Sequence, residues 1–205
     1  MNWVDTQHQA LSKLIQPDWH YADVGACIGE MSDFLWPKMK MGHLFEPSPA
    51  NYERLRRKYP FLGDDRLVIN NYAVSNENGV CNFSVNVDDS HTGNIKGSLP
   101  PSHPKDYREE MVSVKTVNLD TYFKDKRIDL IKIDVEGAEW DVLEGAREIM
   151  SSRSIIFQIE FHWDEDWHRK SILEELGHHI YDLNFKKLAP DAPRPYQAIV
   201  SKEDL

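Results

Sequence analysis

Apolar and polar positions follow two different periods along this chain. Short apolar runs bounded by glycine, proline or asparagine indicate buried strands, and apolar residues three or four positions apart indicate amphipathic helices. The predicted strands of the main sheet are His20–Val24, Met41–Phe45, Arg66–Val74, Ile128–Ile133, Ser154–Phe161, His179–Leu183 and Gln197–Val200. The predicted helices are Trp3–Ile15, Glu30–Met39, Ala50–Tyr59, Leu119–Phe123, Ala138–Ile149 and Asp164–Leu176. This alternation predicts parallel strands joined by right-handed crossovers.

Two further stretches alternate with the period of a strand after the third predicted strand. They are Gly79–Val87 and Met111–Val117, which we interpret as accessory strands. Between them, Asp88 to Pro104 has no periodicity, and long loops of this kind inside compact domains are either functional lids or disordered. We favour a lid, and His91 within it is a candidate substrate contact.

The stretch from His20 to Gly29 predicts a buried strand, a tight turn and the start of a helix. Gly25 and Gly29 let the backbone approach a ligand at the carboxyl end of the strand, where open α/β sheets bind their cofactors. Their spacing lacks the other glycines of a dinucleotide fingerprint, and no phosphate-binding loop of the Gly-x-x-x-x-Gly-Lys-Ser/Thr type occurs. Asp23, just before the turn, favours a ligand with an amino group, such as S-adenosylmethionine. A glycine turn without any ligand is the alternative.

Glu46 ends the second predicted strand. A carboxylate at that position can accept hydrogen bonds from both ribose hydroxyls of a nucleoside. A surface acid before a proline turn is the alternative interpretation. The side chains of Asn70–Ser75, at the end of the third strand, are expected beside the adenine.

Composition narrows the class of protein. A chain of 205 residues suits one α/β domain, and we expect a single domain over residues 1–205. The formal charge of −10 argues against nucleic acid or an anionic membrane as the main partner. The two cysteines, Cys27 and Cys81, have neither disulfide-framework nor zinc spacing. No leader or bilayer-spanning stretch is evident, so we expect no membrane insertion and a cytoplasmic location.

Six sequence blocks, in order from Ala22 to Ala146, resemble the FkbM-type methyltransferases. The blocks are Asp23–Gly29, Leu44–Pro47, Asn71–Val74 with Gly79, Val114–Asp120, Ile131–Glu139 and Leu143–Ala146. The resemblance implies a class I methyltransferase fold, which is a Rossmann-like α/β architecture. It consists of a seven-stranded, mostly parallel sheet whose last strand is inserted antiparallel, with helices on both faces and a β-hairpin or loop insertion after the third strand.

The resemblance also implies a cofactor, S-adenosylmethionine, and a site for it. Carried over by position, the residues for the methionine part are Asp23, Gly25, Ala26 and Gly29, the residue for the ribose is Glu46, and those for the adenine are Tyr72, Ala73 and Val74. Family members methylate oxygen atoms, often hydroxyls of sugars or polyketides. Little chain precedes the first strand, so either the substrate-binding additions of larger relatives are missing or this is one domain of a longer protein with other glycan-synthesis domains.

Four side chains at the ends of two neighbouring strands are the candidate catalytic groups. Asp134 and Glu136 follow one strand, and Glu160 and His162 end the next. Residues two apart in an extended strand point to the same face, so the two pairs can face each other. They could bind a divalent ion, with Mg²⁺ or Mn²⁺ favoured over zinc, or one could act as general base while another orients it. Helix capping is the alternative role of the first pair.

Trp163 and Trp167 lie beside these groups in the sequence. Their large rigid rings could stack on a sugar, and packing in the core is an equally good interpretation.

The leading hypothesis is an S-adenosylmethionine-dependent O-methyltransferase acting on a sugar hydroxyl, with a deoxysugar such as rhamnose in a glycan as the candidate acceptor. One alternative acceptor is a polyketide or other small-molecule hydroxyl. A nucleotide-dependent oxidoreductase or epimerase would need the missing glycine spacing and a tyrosine-lysine pair. A cofactor-binding module without catalysis would use the acids only as helix caps.

Overall fold

The computed structural model describes residues 3–59, 66–86, 93–95 and 108–205. The strands are β1 (His20–Val24), β2 (Met41–Phe45), β3 (Leu67–Asn70), β4 (Ala73–Val74), β5 (Gly79–Asn86), β6 (Gly93–Asn94), β7 (Glu109–Val117), β8 (Leu130–Ile133), β9 (Ile156–Glu160), β10 (His179–Tyr181) and β11 (Gln197–Ser201). The α-helices are α1 (Trp3–Leu14), α2 (Glu30–Leu35), α3 (Pro49–Lys58), α4 (Leu119–Tyr122), α5 (Glu139–Glu144), α6 (Arg147–Ser152) and α7 (Ser171–Glu175). Trp36–Lys38 and Glu165–Lys170 are short 3-10 helices.

The main sheet has seven strands in the order β10-β11-β9-β8-β1-β2-β3. Its central strands are parallel, whereas β11 runs antiparallel to both β9 and β10. Strands β1, β8 and β9 are buried over almost their whole length, because apolar clusters cover both faces of the sheet. The predicted class I methyltransferase architecture is therefore confirmed.

A second sheet of four strands, in the order β4-β7-β5-β6, forms the predicted insertion after the third strand. Its main part is the antiparallel pair of β5 and β7. Gly93–Ile95 includes β6, whereas the rest of the predicted lid between Asp88 and Pro104, including His91, lies outside the described residues.

The prediction of one strand over Arg66–Val74 is wrong. The chain leaves the main sheet after Asn70, and β4 pairs with β7 in the second sheet. The cause is hydrogen bonding to a distant part of the chain: the Asn71 Nδ2 donates to the carbonyl oxygens of Glu46 and Pro47 at 2.8 and 3.0 Å. These bonds hold the chain across the end of β2 and redirect it.

Two predicted helices are interrupted. The stretch Ala138–Ile149 divides into α5 and α6 at Gly145, where a Cβ would overlap the carbonyl oxygen of Ser75, so the break permits close packing. The stretch Asp164–Leu176 begins as a 3-10 helix. Ser48 caps the start of α3, since its side chain accepts a hydrogen bond from the Asn51 N–H.

Within the ranges that the structure describes, no helix is at once long and apolar enough to cross a bilayer.

Candidate functional site

The turn after β1 packs directly on the backbone at the end of β8. The N–H groups of Gly25 and Ala26 both donate to the Phe45 carbonyl oxygen at 3.0 Å. Gly25 has a φ of 82°, and a Cβ there would overlap the carbonyl oxygen of Asp134. Only glycine permits this conformation and this contact together. The sequence therefore brings the first turn and the candidate catalytic strand end into contact.

An open cavity lies beside this turn, between the carboxyl ends of the central strands and the second sheet. The predicted site residues that line it are Gly25, Glu46, Tyr72, Ala73, Val74, Asp134 and Glu136. Asp23, Ala26 and Gly29 do not line it. An apolar wall from the second sheet, formed by Phe83, Val85 and Ile95, completes the cavity and was not predicted.

Glu46 is buried on one wall of this cavity. Its Oε2 accepts a hydrogen bond from the Cys27 N–H at 2.8 Å and its Oε1 accepts one from the Ser48 N–H at 2.9 Å. Burial raises the pKa of Glu46 to about 7, although both hydrogen bonds act to lower it. Each oxygen keeps a second lone pair, so the fixed carboxyl can still accept hydroxyl donors.

The two remaining residues of the first turn have other contacts. Gly29 has a φ of 84°, and a Cβ there would press on Leu55 and Tyr59 of the next crossover. Ala26 is packed in the apolar cluster on the same side. Both residues shape the turn around the cavity.

Asp23 is fully buried beneath the turn and pairs with a buried lysine. Its Oδ2 accepts a hydrogen bond from Ser32 Oγ at 2.6 Å, and its Oδ1 lies 3.3 Å from Lys132 Nζ. Lys132 Nζ also lies 3.4 Å from Asp134 Oδ2 and donates to the Gly25 carbonyl oxygen at 3.2 Å. Burial lowers the pKa of Lys132, but the charges of Asp23 and Asp134 outweigh this effect. The pKa of Lys132 is therefore raised. Lys132 thus ties the first turn to Asp134.

His162 is surrounded by the three predicted carboxyl groups of Asp134, Glu136 and Glu160 and by a fourth, that of Glu139. Its Nδ1 lies 2.8 Å from Glu139 Oε1, which also accepts a hydrogen bond from the Gly137 N–H. Its Nε2 lies 3.4 Å from Glu136 Oε2, 3.4 Å from Glu160 Oε1 and 3.9 Å from Asp134 Oδ1. Burial lowers the pKa of His162, but its hydrogen bonds to Glu139 and Glu160 and the charges of Glu139 and Glu136 raise it to about 11.

The four predicted catalytic residues therefore meet, but only two of them face the cavity. Glu160 is held by Gln197 and Gln7 on Oε2, at 3.0 and 3.3 Å, and by the Tyr196 hydroxyl on Oε1. Of the four, Asp134 and Glu136 are the two on the cavity wall.

Glu136 has an unusual backbone conformation for a residue with a side chain. Its φ is 54°, in the left-handed region that costs free energy outside glycine and that occurs often at functional sites. Burial raises its pKa to about 8, and the charge of Asp134 adds to this effect. A carboxyl group in this condition can exchange a proton near neutral pH.

The family model described as the methyltransferase FkbM domain matches residues 23–186. The chain belongs to the FkbM methyltransferase family. This confirms the family predicted from the sequence blocks.

This FkbM domain is similar to one protein in sequence and to two solved structures in fold. The 2-O-methyltransferase NoeI from Sinorhizobium fredii is 32% identical over 163 residues, which cover 73% of this chain and 66% of NoeI. An FkbM methyltransferase from Methylobacillus flagellatus has a TM-score of 0.58 at 19% identity, covering 93% of this chain and 45% of that one. TrmK from M. capricolum, solved with S-adenosylhomocysteine, has a TM-score of 0.53 at 13% identity. The match covers 100% of this chain and 70% of TrmK. The chain thus spans just under two thirds of NoeI, and the two structural likenesses show the fold.

The FkbM domain has one group of side chains suited to a metal ion in its described residues. Asp134, Glu160 and His162 each offer one ligand atom, and these atoms lie within 4.8 Å of one another. Two carboxylates and an imidazole suit several divalent ions. Glu139 on the other ring nitrogen is the kind of outer partner that orients a metal-bound histidine. The residues present therefore fit a divalent ion.

The two candidate sugar-stacking tryptophans occupy different surroundings. The ring of Trp167 lies 6.2 Å from that of Trp140 and 5.3 Å from that of Phe161, and its Nε1 donates to the Ala192 carbonyl oxygen. The ring of Trp163 lies against Gly137, where any Cβ would overlap it. Trp167 therefore packs with the core, and Trp163 supports the turn that carries Glu136.

Sequence reasoning missed Lys132 and Glu139 as site residues. Both belong to the Ile131–Glu139 block, and a lysine inside an otherwise apolar buried strand was the available signal.

Proposed function

We propose that this chain is an S-adenosylmethionine-dependent O-methyltransferase domain whose acceptor is a sugar hydroxyl, with a deoxysugar such as rhamnose as the first candidate. The observation that carries the proposal is that one cavity joins the buried Glu46 carboxyl to two acids, Asp134 and Glu136. Glu46 is suited to binding the ribose of a nucleoside, and Asp134 and Glu136 are suited to accepting a proton. The name of NoeI, a 2-O-methyltransferase, supports oxygen as the methylated atom.

The walls of the cavity fit the proposed cofactor. Glu46 offers acceptor positions for ribose hydroxyls, and the backbone of Gly25 leaves room for close approach. Tyr72 and the apolar residues of the second sheet, Phe83 and Ile95, would enclose a base. Asp23 would act from beneath the turn through Lys132 and the Gly25 backbone.

When bound, the cofactor supplies an electrophilic methyl group, which moves from sulfur to the acceptor oxygen as the carbon–sulfur bond breaks. The acceptor hydroxyl must lose its proton, and an alcohol does so poorly without help. Asp134 and Glu136 are placed to accept that proton because both line the cavity. Lys132 and His162, which do not line the cavity, hold these acids in place.

A divalent ion held by Asp134, Glu160 and His162 would acidify the hydroxyl. The protonated His162 ring can compensate the same negative charge without an ion. A chelator distinguishes the two: loss of rate with EDTA and recovery with MgCl₂ or MnCl₂ would assign the ion a role, whereas an unchanged rate would assign the compensation to His162.

Replacing Glu46 by glutamine should weaken the binding of S-adenosylhomocysteine by about 10-fold or more. The amide keeps the shape but places an N–H₂ group against a backbone donor, and it loses a charge-assisted acceptor for ribose. Titration calorimetry measures the affinity. Glu53→Gln on the exposed face of α3 is the control, and equal affinities for both variants and the wild type would contradict the ribose role.

The proposed function is tested with methyl-labelled S-adenosylmethionine and a panel containing methyl α-L-rhamnopyranoside, other methyl glycosides and a polyketide alcohol. NMR should locate the label as a methyl ether on a former hydroxyl oxygen of the sugar. If only the polyketide alcohol were labelled, the acceptor class would be a small-molecule hydroxyl and not a sugar. Binding of NAD without any response to S-adenosylhomocysteine would overturn the methyltransferase assignment itself.

A further inference from the structure

Tyr196 has an unusual combination of exposure and anchoring. Its side chain and backbone are 55% exposed, which makes it the one phenylalanine, tyrosine or tryptophan more than about a third exposed among the side chains that the structure describes. Large apolar surface left in water next to a polar cluster often marks a binding site.

Tyr196 is held by both its side chain and its backbone. The side-chain hydroxyl donates to Glu160 Oε1, and the backbone carbonyl oxygen accepts a hydrogen bond from the Phe161 N–H at 2.8 Å. The next residue, Gln197, pairs with Glu160 across the sheet and also bonds to its carboxylate. Because the ring is already fixed, a ligand that packs on it pays little of the usual ordering entropy.

The ring also lies beside the proposed proton acceptors. Its centroid is 5.9 Å from that of His162, with the two planes at 76°. His162 Nε2 in turn lies 3.4 Å from Glu136 Oε2. Tyr196 therefore contacts, through Glu160 and His162, the same group of acids that reaches the cavity wall at Glu136.

We propose that Tyr196 is the platform on which the acceptor sugar stacks. This inference rests on the proposed function and deepens it. The apolar C–H face of a pyranose ring would pack on the exposed tyrosine face, which offers a large rigid surface. One hydroxyl of the sugar then points toward Asp134 and Glu136. The acceptor class is accordingly a pyranoside with an apolar face, and Tyr196 determines specificity for it without taking part in proton transfer.

The test compares Tyr196→Ala with Tyr196→Phe, using methyl α-L-rhamnopyranoside and the other methyl glycosides of the panel as probes. Both variants lose the hydroxyl bond to Glu160, so the difference between them isolates the ring. We expect the alanine variant to raise the KM for the glycoside by about 5- to 10-fold over the phenylalanine variant, in line with the usual strength of aromatic packing. The affinity for S-adenosylhomocysteine should be the same in both. Met111→Ala, which removes an exposed apolar side chain on β7, is the control for a general surface effect.

Equal KM values for the alanine and phenylalanine variants would overturn the platform and leave Tyr196 only as support for Glu160. If the alanine variant does not fold, Tyr196→Leu, which keeps apolar volume without the ring, replaces it in the same comparison. A wild-type chain that methylates the polyketide alcohol but no glycoside would overturn both the sugar acceptor and the platform. If the wild type methylates a glycoside but the two Tyr196 variants have equal KM values for it, the platform is overturned and the proposed function is retained.

Discussion

Replacing Asp134 by asparagine is expected to lower the rate of methyl transfer by about 100-fold to 10,000-fold, the usual contribution of a positioned general base. The amide keeps the shape of the side chain at the end of β8 but cannot take a proton from the acceptor. Lys132 keeps its partner Asp23 in this variant, so the first turn should remain in place. Steady-state rates with the acceptor, together with calorimetry of S-adenosylhomocysteine, measure the two effects separately.

Asp141→Asn is the matched control for that substitution. The Asp141 side chain is 26% exposed, the same fraction as Asp134, and it also pairs with a basic residue, Arg169, at 3.5 Å. It lies on α5 and does not line the cavity. If Asp134→Asn and Asp141→Asn had the same rate, Asp134 would not be the proton acceptor. Glu136→Gln would then be the decisive variant, because Glu136 is the other candidate catalytic acid on the cavity wall.

The parts of the fold that depend on local pattern were predictable from the sequence. Burial on both faces makes a strand such as Ile128–Ile133 almost continuously apolar, and the alternation of such strands with helices allows few topologies. The meeting of Asp134 and Glu136 with Glu160 and His162 followed as well, because parallel neighbours end at the same edge of a sheet. The break after Asn70 was not predictable, since it depends on side-chain bonds to carbonyl oxygens just beyond the end of β2.

The partners of the site residues were also beyond sequence reasoning. The resemblance assigns Asp23 to the methionine part of the cofactor, and the structure adds that it lies beneath the turn against Lys132 and Ser32. Which residue lies opposite another is set by strand register, and here Asp23 stands beside Lys132 in the pairing of β1 with β8. Register is a property of the assembled sheet, which local periodicity does not encode.

Replacing Lys132 by methionine should lower the free energy of unfolding by about 3–5 kcal/mol, the usual result of removing one partner from a buried ion pair. The lysine side chain is only 8% exposed, and methionine leaves the fully buried Asp23 carboxylate without a cation. For a chain of this size, that loss corresponds to a fall in melting temperature of about 6–20 °C. Urea unfolding followed by circular dichroism measures it. Lys115→Met, at an exposed position of β7, should change the stability by less than about 0.5 kcal/mol.

The double variant Asp23→Asn with Lys132→Met separates charge from packing. Asparagine removes the uncompensated charge and can still accept the hydrogen bond from Ser32 Oγ, so the double variant should be more stable than Lys132→Met alone. Its cofactor affinity should nevertheless remain low, because Lys132 also holds the Gly25 carbonyl oxygen and Asp134. Recovery of stability without recovery of binding would show that the buried ion pair positions the first turn. A Lys132→Met variant as stable as Lys115→Met would show instead that the Asp23 carboxyl is neutral or solvated when the lysine is absent.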